Sequence, residues 1–254
     1  MEGVRTSFLT FRTPPTLFSF FVLVLFYFME KFIKNIQVLF ENDFCLVLNK
    51  PSGLAVQGGE GVKVSLDSIL SEKISPRPLL VHRLDRDTSG VILVAKTKAA
   101  AAAFSALFAG REGKAGKNPS ITKQYLGLCS GSPEPESGLI RHKLDVRGSG
   151  KESITHYKLL SNGTLGGDIP YSLLELKLDT GRMHQIRRHM AQIGHPLLGD
   201  DKYGDFSLNK RLRKLCGRKH LLLHASRLII PLFTGFLPCG LDISAPLPDY
   251  FSLQ

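Results

Sequence analysis

Cysteine is scarce in this chain: four residues, Cys45, Cys129, Cys216 and Cys239, are spread over 254 positions with no CxxC pair or other zinc-like spacing. That spacing speaks against a disulfide scaffold and a zinc ribbon, and it suits a reduced, cytoplasmic compartment. Cys45 sits in the apolar run Phe44 to Leu48, where it reads as a small buried hydrophobe rather than a reactive thiol. Acidic residues are also short: 22 Asp and Glu stand against 33 Lys and Arg, a formal charge of +11 with a sequence pI near 9.6. This balance favours polyanionic partners, nucleic acid first among them, with a membrane surface or a plain basic enzyme as alternatives.

An apolar run of the ~20 residues needed to cross a bilayer is missing as well. Leu17 to Met29, apolar apart from Ser19 and Tyr27, is cut off by Glu30 and Lys31, so membrane insertion is not expected. The segment follows Arg5 and Arg12 as a signal peptide would, yet no small-residue cleavage site comes after it. Three readings stay open. Translation starts at Met29 and residues 1–28 are an extension outside a catalytic domain of residues 29–254; or the segment is an anchor, with Lys31 and Lys34 keeping the body on the cytoplasmic side; or it is signal-like. Also absent are a Walker A lysine loop and a dinucleotide-type GxGxxG, so nothing points to ATP or NAD. No fixed-period repeat or low-complexity block divides the chain.

What is present, from Val38 onward, is a series of short apolar strands and a few helices. Val38 to Phe40 and Phe44 to Leu48 flank Glu41-Asn42-Asp43 as a hairpin that runs into the turn Pro51-Ser52-Gly53. Gly90 to Ala95 is continuously apolar, the pattern of a strand covered on both faces. Thr97 is placed to cap a helix from Ala99 to Phe108. Tyr171 to Leu178 alternates, with Leu174, Leu176 and Leu178 on one face and Glu175 and Lys177 on the other. His184 to Ile193 has helical spacing at Ile186, Met190 and Ile193 and a stop at Gly194-His195-Pro196. Without a βαβ rhythm, these elements predict an α+β fold with a mixed, largely antiparallel central sheet and flanking helices.

The stretch His82-Arg83-Leu84-Asp85-Arg86-Asp87-Thr88-Ser89-Gly90 joins an apolar segment to the buried strand, which puts its polar groups at the mouth of the core. Flanked by Arg83 and Arg86, the Asp85 carboxylate is expected to stay ionised. The order His-Arg-Leu-Asp differs from a kinase HRD loop, and the kinase glycine loop and DFG triplet are missing. His184 and His189 are five apart, about 140° around a helix, too far round to share a zinc. His184 and His82 read as local hydrogen-bonding residues. Lys210, Arg211, Arg213, Lys214, Arg218 and Lys219 form a basic cluster with no acidic residue between them, suited to phosphate contact or to a solvated loop.

The Asp85 stretch resembles the HRLDxxTSG signature of the RluA family of RNA pseudouridine synthases. Four more segments are similar to that family in its order: Leu48 to Leu54; Lys123-Gln124-Tyr125; Thr180 to Arg187 running on to Gly194 through Asp200; and Leu223-His224-Ala225. The resemblance implies an isomerase that converts uridine to pseudouridine in rRNA or tRNA and acts on its RNA partner without metal or organic cofactor. It implies that Asp85 is the essential carboxylate, that Arg187 pairs with it, and that Tyr125 lies against the target base. By the same resemblance Arg83 fills the stack left by the departing base and Leu223 lies under that base. Arg86, Arg182, Arg188, Lys210, Arg211 and Arg213 are expected to bind RNA. Between Met29 and the first family segment there is no room for the small N-terminal RNA-binding domain of longer members, and a monomer is expected. Whether Asp85 attacks the sugar or the base, or removes a sugar proton, is left open by the sequence.

Overall fold

The computed structural model describes residues 36–109, 120–146, 149–232, 236–237 and 240–252. The apolar segment Leu17 to Met29 and Cys239 lie outside the described residues. Among the described residues ten strands form one sheet: β1 (Gln37–Glu41), β2 (Cys45–Lys50), β3 (Leu79–Leu80), β4 (Ser89–Ala95), β5 (Thr122–Ser130), β6 (Ser137–Val146), β7 (Ser149–Leu165), β8 (Ile169–Leu178), β9 (Leu223–Ile230) and β10 (Leu241–Ser244). The helices α1 (Leu66–Lys73), α2 (Lys98–Ala109), α3 (Gln185–Gln192) and α4 (Phe206–Cys216) accompany them.

The strand order is β1-β2-β4-β9-β5-β8-β7-β6, with β3 paired to β4 and β10 to β9. Pairing is antiparallel except for β4 beside β9. The α+β architecture read from the sequence is the one found. The parallel joint is short, Ser89 opposite His224 and Gly90 opposite Ala225. Gly90 makes it possible: its φ is +112°, and a Cβ there would lie 2.1 Å from the Ala225 carbonyl oxygen.

Side-chain alternation splits the apolar strands between two cores. Leu46, Leu48, Ile92, Val94, Tyr125 and Leu223 pack with α1 and α3 on one face. Val47, Val91, Leu93 and Ala95 pack against Phe104 and Leu107 of α2 on the other. A third cluster joins Leu128, Ile169, Leu198 and Leu222 to Leu212 of α4. Every residue of β4 is buried, as its continuous apolar text requires.

Helix limits follow the local signals. Ser65 and Ser68 form a capping box at α1, and the Thr97 hydroxyl accepts from Ala100 N ahead of α2. The basic cluster is largely helix rather than loop: α4 carries Lys210, Arg211, Arg213 and Lys214, capped by Asp205 and closed by left-handed Gly217. Among the described residues no helix is long and apolar enough to cross a membrane.

Candidate active site

Asp85 lies in the loop between β3 and β4, and that loop is fastened from several sides. Lys50 Nζ donates to the carbonyls of Pro51, Leu54 and Arg86 at 2.9, 2.8 and 3.0 Å. Gly53 N also donates to Arg86 O, and the Ser52 hydroxyl donates to Asp87 O. At the loop's start His82 Nε2 accepts from Leu93 N, and its ring stacks on Phe108. Burial pulls His82 down to about 3, which keeps that nitrogen an acceptor. Burial likewise draws Lys50 down to about 7, opposed by the Asp87 and Asp85 carboxylates.

The loop, the segment around α3, and strands β5 and β9 enclose a cavity of about 260 Å³. Asp85, Arg83, Tyr125, Arg182, Arg187 and Leu223 all line it. Tyr125 and Leu223 are buried side chains of the sheet face that supports α3. Arg182 contributes an Nε enclosed without an acceptor among the described groups. Arg86, Arg188, Lys210, Arg211 and Arg213 do not line this cavity. Arg86 Nε donates to Gly53 O at 3.2 Å. Arg188 is half-buried on α3, and Arg211 of α4 pairs with Asp168 at 2.5 Å.

Burial raises the Asp85 carboxyl above the usual carboxylate range, opposed by His184, Arg187, Arg83 and Lys50 in that order. Of the two flanking arginines, Arg83 acts to lower the carboxyl, whereas Arg86 is not among the groups that do so and donates to Gly53 O. Arg187 Nη1 stands 3.9 Å from Asp85 Oδ2. Its tighter partner is Asp200, fully buried, which accepts from Nε at 2.8 Å and from Nη2 at 2.7 Å. Asp200 also accepts from Lys202 N and Tyr203 N; burial works to raise its carboxyl, and these four bonds outweigh it and hold the group below the ordinary carboxylate value. Tyr125 is pushed above the ordinary phenol value by burial and by the negative charge of Asp85, so it stays protonated at neutral pH.

Two residues bring chemistry that sequence reasoning had not assigned. Asp200 closes the quoted Gly194 to Asp200 segment, but nothing in the sequence ties it to Arg187. His184, read only as a hydrogen-bonding residue of a helix, precedes α3 in a left-handed conformation and places Nε2 3.9 Å from Asp85 Oδ1. Among the described residues no cluster of His, Cys, Asp and Glu could hold a metal ion.

This arrangement sits on a chain with clear relatives. A family model described as RNA pseudouridylate synthase matches residues 44–192. The ribosomal large subunit pseudouridine synthase C of Rickettsia bellii is 32% identical over 238 residues, 88% of this chain and 72% of that protein. RNA pseudouridine synthase 4, mitochondrial, of Arabidopsis thaliana is 35% identical over 206 residues, 69% of this chain and 42% of that protein. The solved structure of human RNA pseudouridylate synthase domain containing 1 overlays with a TM-score of 0.67 at 29% identity, covering 85% of each chain. Sequence and fold thus agree, and the chain belongs to the RNA pseudouridylate synthase family of isomerases, in the branch of the RluA-type enzymes.

Proposed function

We propose that this chain isomerises specific uridines of large-subunit ribosomal RNA, with Asp85 as the essential carboxylate. The observation that carries the reading is the placement of Asp85 in a cavity bounded by Tyr125, Leu223, Arg187 and Arg83. The rRNA target is supported by the names of relatives such as the Rickettsia bellii protein, and a formal charge of +11 suits a polyanionic substrate. Asp85 assists departure of the base, by adding to the sugar or the base or by removing a sugar proton. Leu223 and the Tyr125 ring are flat apolar walls for a pyrimidine, and Arg83, exposed at the cavity rim, is placed to fill the vacated stack. Detaching and rejoining a base involves no net redox change, so the reading requires no cofactor or metal. A cytoplasmic monomer, with Cys45, Cys129 and Cys216 kept as free thiols, completes it.

Incubation with rRNA carrying tritium at uridine C5 tests the proposal. Tritium release with pseudouridine in the RNA is expected; release of free uracil would mean a glycosidase, and binding without release would mean a non-catalytic RNA-binding protein. Asp85→Asn is expected to remove turnover and leave RNA affinity near wild type, since size is kept while the acid-base group is lost. Pseudouridine formed by the purified variant would overturn the role of Asp85.

A further inference from the structure

The parallel joint beside the cavity is narrow. β5 pairs with β9 from Leu223 to Ile229 and so takes one edge of that strand. The other edge is shared: β4 meets it at His224 and Ala225, and β10 meets it from Arg227 to Ile230. Two opposed residue pairs therefore set where the Asp85 loop stands against β9, since that loop runs straight into Ser89 and Leu223 adjoins His224.

So short a ladder is reinforced by side chains. Tyr250 Oη donates to Ser89 Oγ at 3.0 Å, Ser89 Oγ donates to His224 Nδ1 at 2.9 Å, and His224 Nε2 donates to the Ala245 carbonyl at 3.4 Å. Each step has its donor and its acceptor when the imidazole is neutral, and burial lowers His224 accordingly. The relay begins and ends on the C-terminal segment. That segment leaves β10 with Ala245 N donating to Ser226 O, crosses at Pro246-Leu247-Pro248, and turns through a short 3-10 helix, Asp249–Phe251. Phe251 is buried in the cluster with Leu128 and Leu222, the Tyr250 ring stacks on His220 at 4.4 Å, and Arg218 donates to Ser252 O. With Ser89 2% and His224 0% exposed, the pair is closed to substrate, so it holds structure rather than supplying a nucleophile.

On the loop side this hold reaches Asp85. Thr88 lines the cavity, donates from its N to Asp85 O at 3.2 Å, and is followed directly by Ser89. The Tyr250 hydroxyl also faces Ser52, whose own hydroxyl donates to Asp87 O. Resting on the function proposed above, we infer that Tyr250 is a positioning residue for Asp85, through which the C-terminal segment fixes the catalytic loop against β9. Tyr250 does not line the cavity, so it acts through Ser89 and Ser52 and not on the RNA.

Single-turnover rates at saturating RNA, with RNA dissociation constants measured alongside, test the assignment well below the unfolding temperature. Tyr250→Phe keeps the ring on His220 and removes only the hydroxyl. Its rate is expected to fall by roughly 10- to 100-fold while RNA affinity holds, because a slight misplacement of Asp85 slows the chemistry without touching binding. Ser89→Ala cuts the relay at its middle and is expected to slow the reaction in the same way. Combining the two is expected to cost less than the product of the single losses, since both act through one bond. An unchanged rate in Tyr250→Phe, a rate loss matched by lost affinity, or losses that multiply in full overturn the inference. If Ser89→Ala does not fold, rate and affinity in Tyr250→Phe decide it alone. A wild type that forms no pseudouridine sinks the isomerase reading itself, a separate result.

Discussion

Arg187 joins two carboxylates that differ in purpose: Asp85 at 3.9 Å, in the cavity, and Asp200 at 2.7 Å, fully buried behind it. Because Asp200 takes both its Nε and one terminal nitrogen, much of the guanidinium charge is spent before it reaches Asp85. That leaves enclosure free to raise the Asp85 carboxyl. Arg187→Met strands the Asp200 charge in the interior, a loss of about 3–5 kcal/mol. Thermal unfolding is expected to show that loss, and single-turnover assays a severe drop in rate. Adding Asp200→Asn to Arg187→Met removes the stranded charge, so unfolding temperature is expected to recover in part while the rate does not. Recovery of both would assign Arg187 a purely structural role.

At the scale of elements, helix α3 is bolted to β7 by a polar network built around His189. The Ser153 hydroxyl donates to the His142 carbonyl at 2.6 Å, so its oxygen accepts from His189 Nε2–H at 2.9 Å. His189 Nδ1 then accepts from Thr155, whose oxygen accepts from Gln185 Nε2. Every partner is matched only when the imidazole is neutral, and burial accordingly pulls His189 down to about 4. The folded value lies below the unfolded one, so the unfolded chain binds the extra proton first. Stability is complete above about pH 6.5 and is lost as pH falls toward 4, on the order of 2–3 kcal/mol from this residue. His189→Gln is expected to lower the unfolding temperature at pH 7 and to flatten its decline between pH 6.5 and 4.5. A decline as steep as wild type would remove His189 from the acid response; His82 adds to it in the same direction. Elements whose signals are local were legible in the sequence: the β1–β2 hairpin, the doubly buried β4, the alternating β8 and the apolar stripe of α3. Asp85, Tyr125, Arg187 and Leu223 could be named together only through resemblance, since no local pattern says that they meet. His184 and Asp200 were opaque for the same reason, one depending on an unusual φ and the other on a partner thirteen residues away.

Taken whole, the molecule presents α4 as a basic surface away from the cavity, with Lys210, Arg213 and Lys214 exposed. Its apolar side packs on Leu128 and Leu222, whereas Tyr125 and Leu223 belong to the cluster around α3. Any role in RNA contact is therefore exercised on nucleotides outside the cavity. Lys210→Glu with Lys214→Glu is expected to weaken RNA binding and to lower the salt slope by about 1 per lost phosphate contact. The single-turnover rate at saturating RNA should hold; an unchanged salt slope would exclude α4 from the interface. The site itself is made from distant parts of the chain: Ser89 and His224, hydrogen-bonded across the parallel joint, are 135 residues apart. β9 occupies the slot between β4 and β5. During synthesis the earlier strands therefore emerge as two partial sheets, β1-β2-β4 and β5-β8-β7-β6, whose facing edges have nothing to pair with until β9 leaves the ribosome. Such late, long-range closure makes for slow folding. A nascent chain that stops short of Leu223 holds Asp85 and Tyr125 but lacks the strand that joins β4 to β5, so catalytic competence awaits the synthesis of β9.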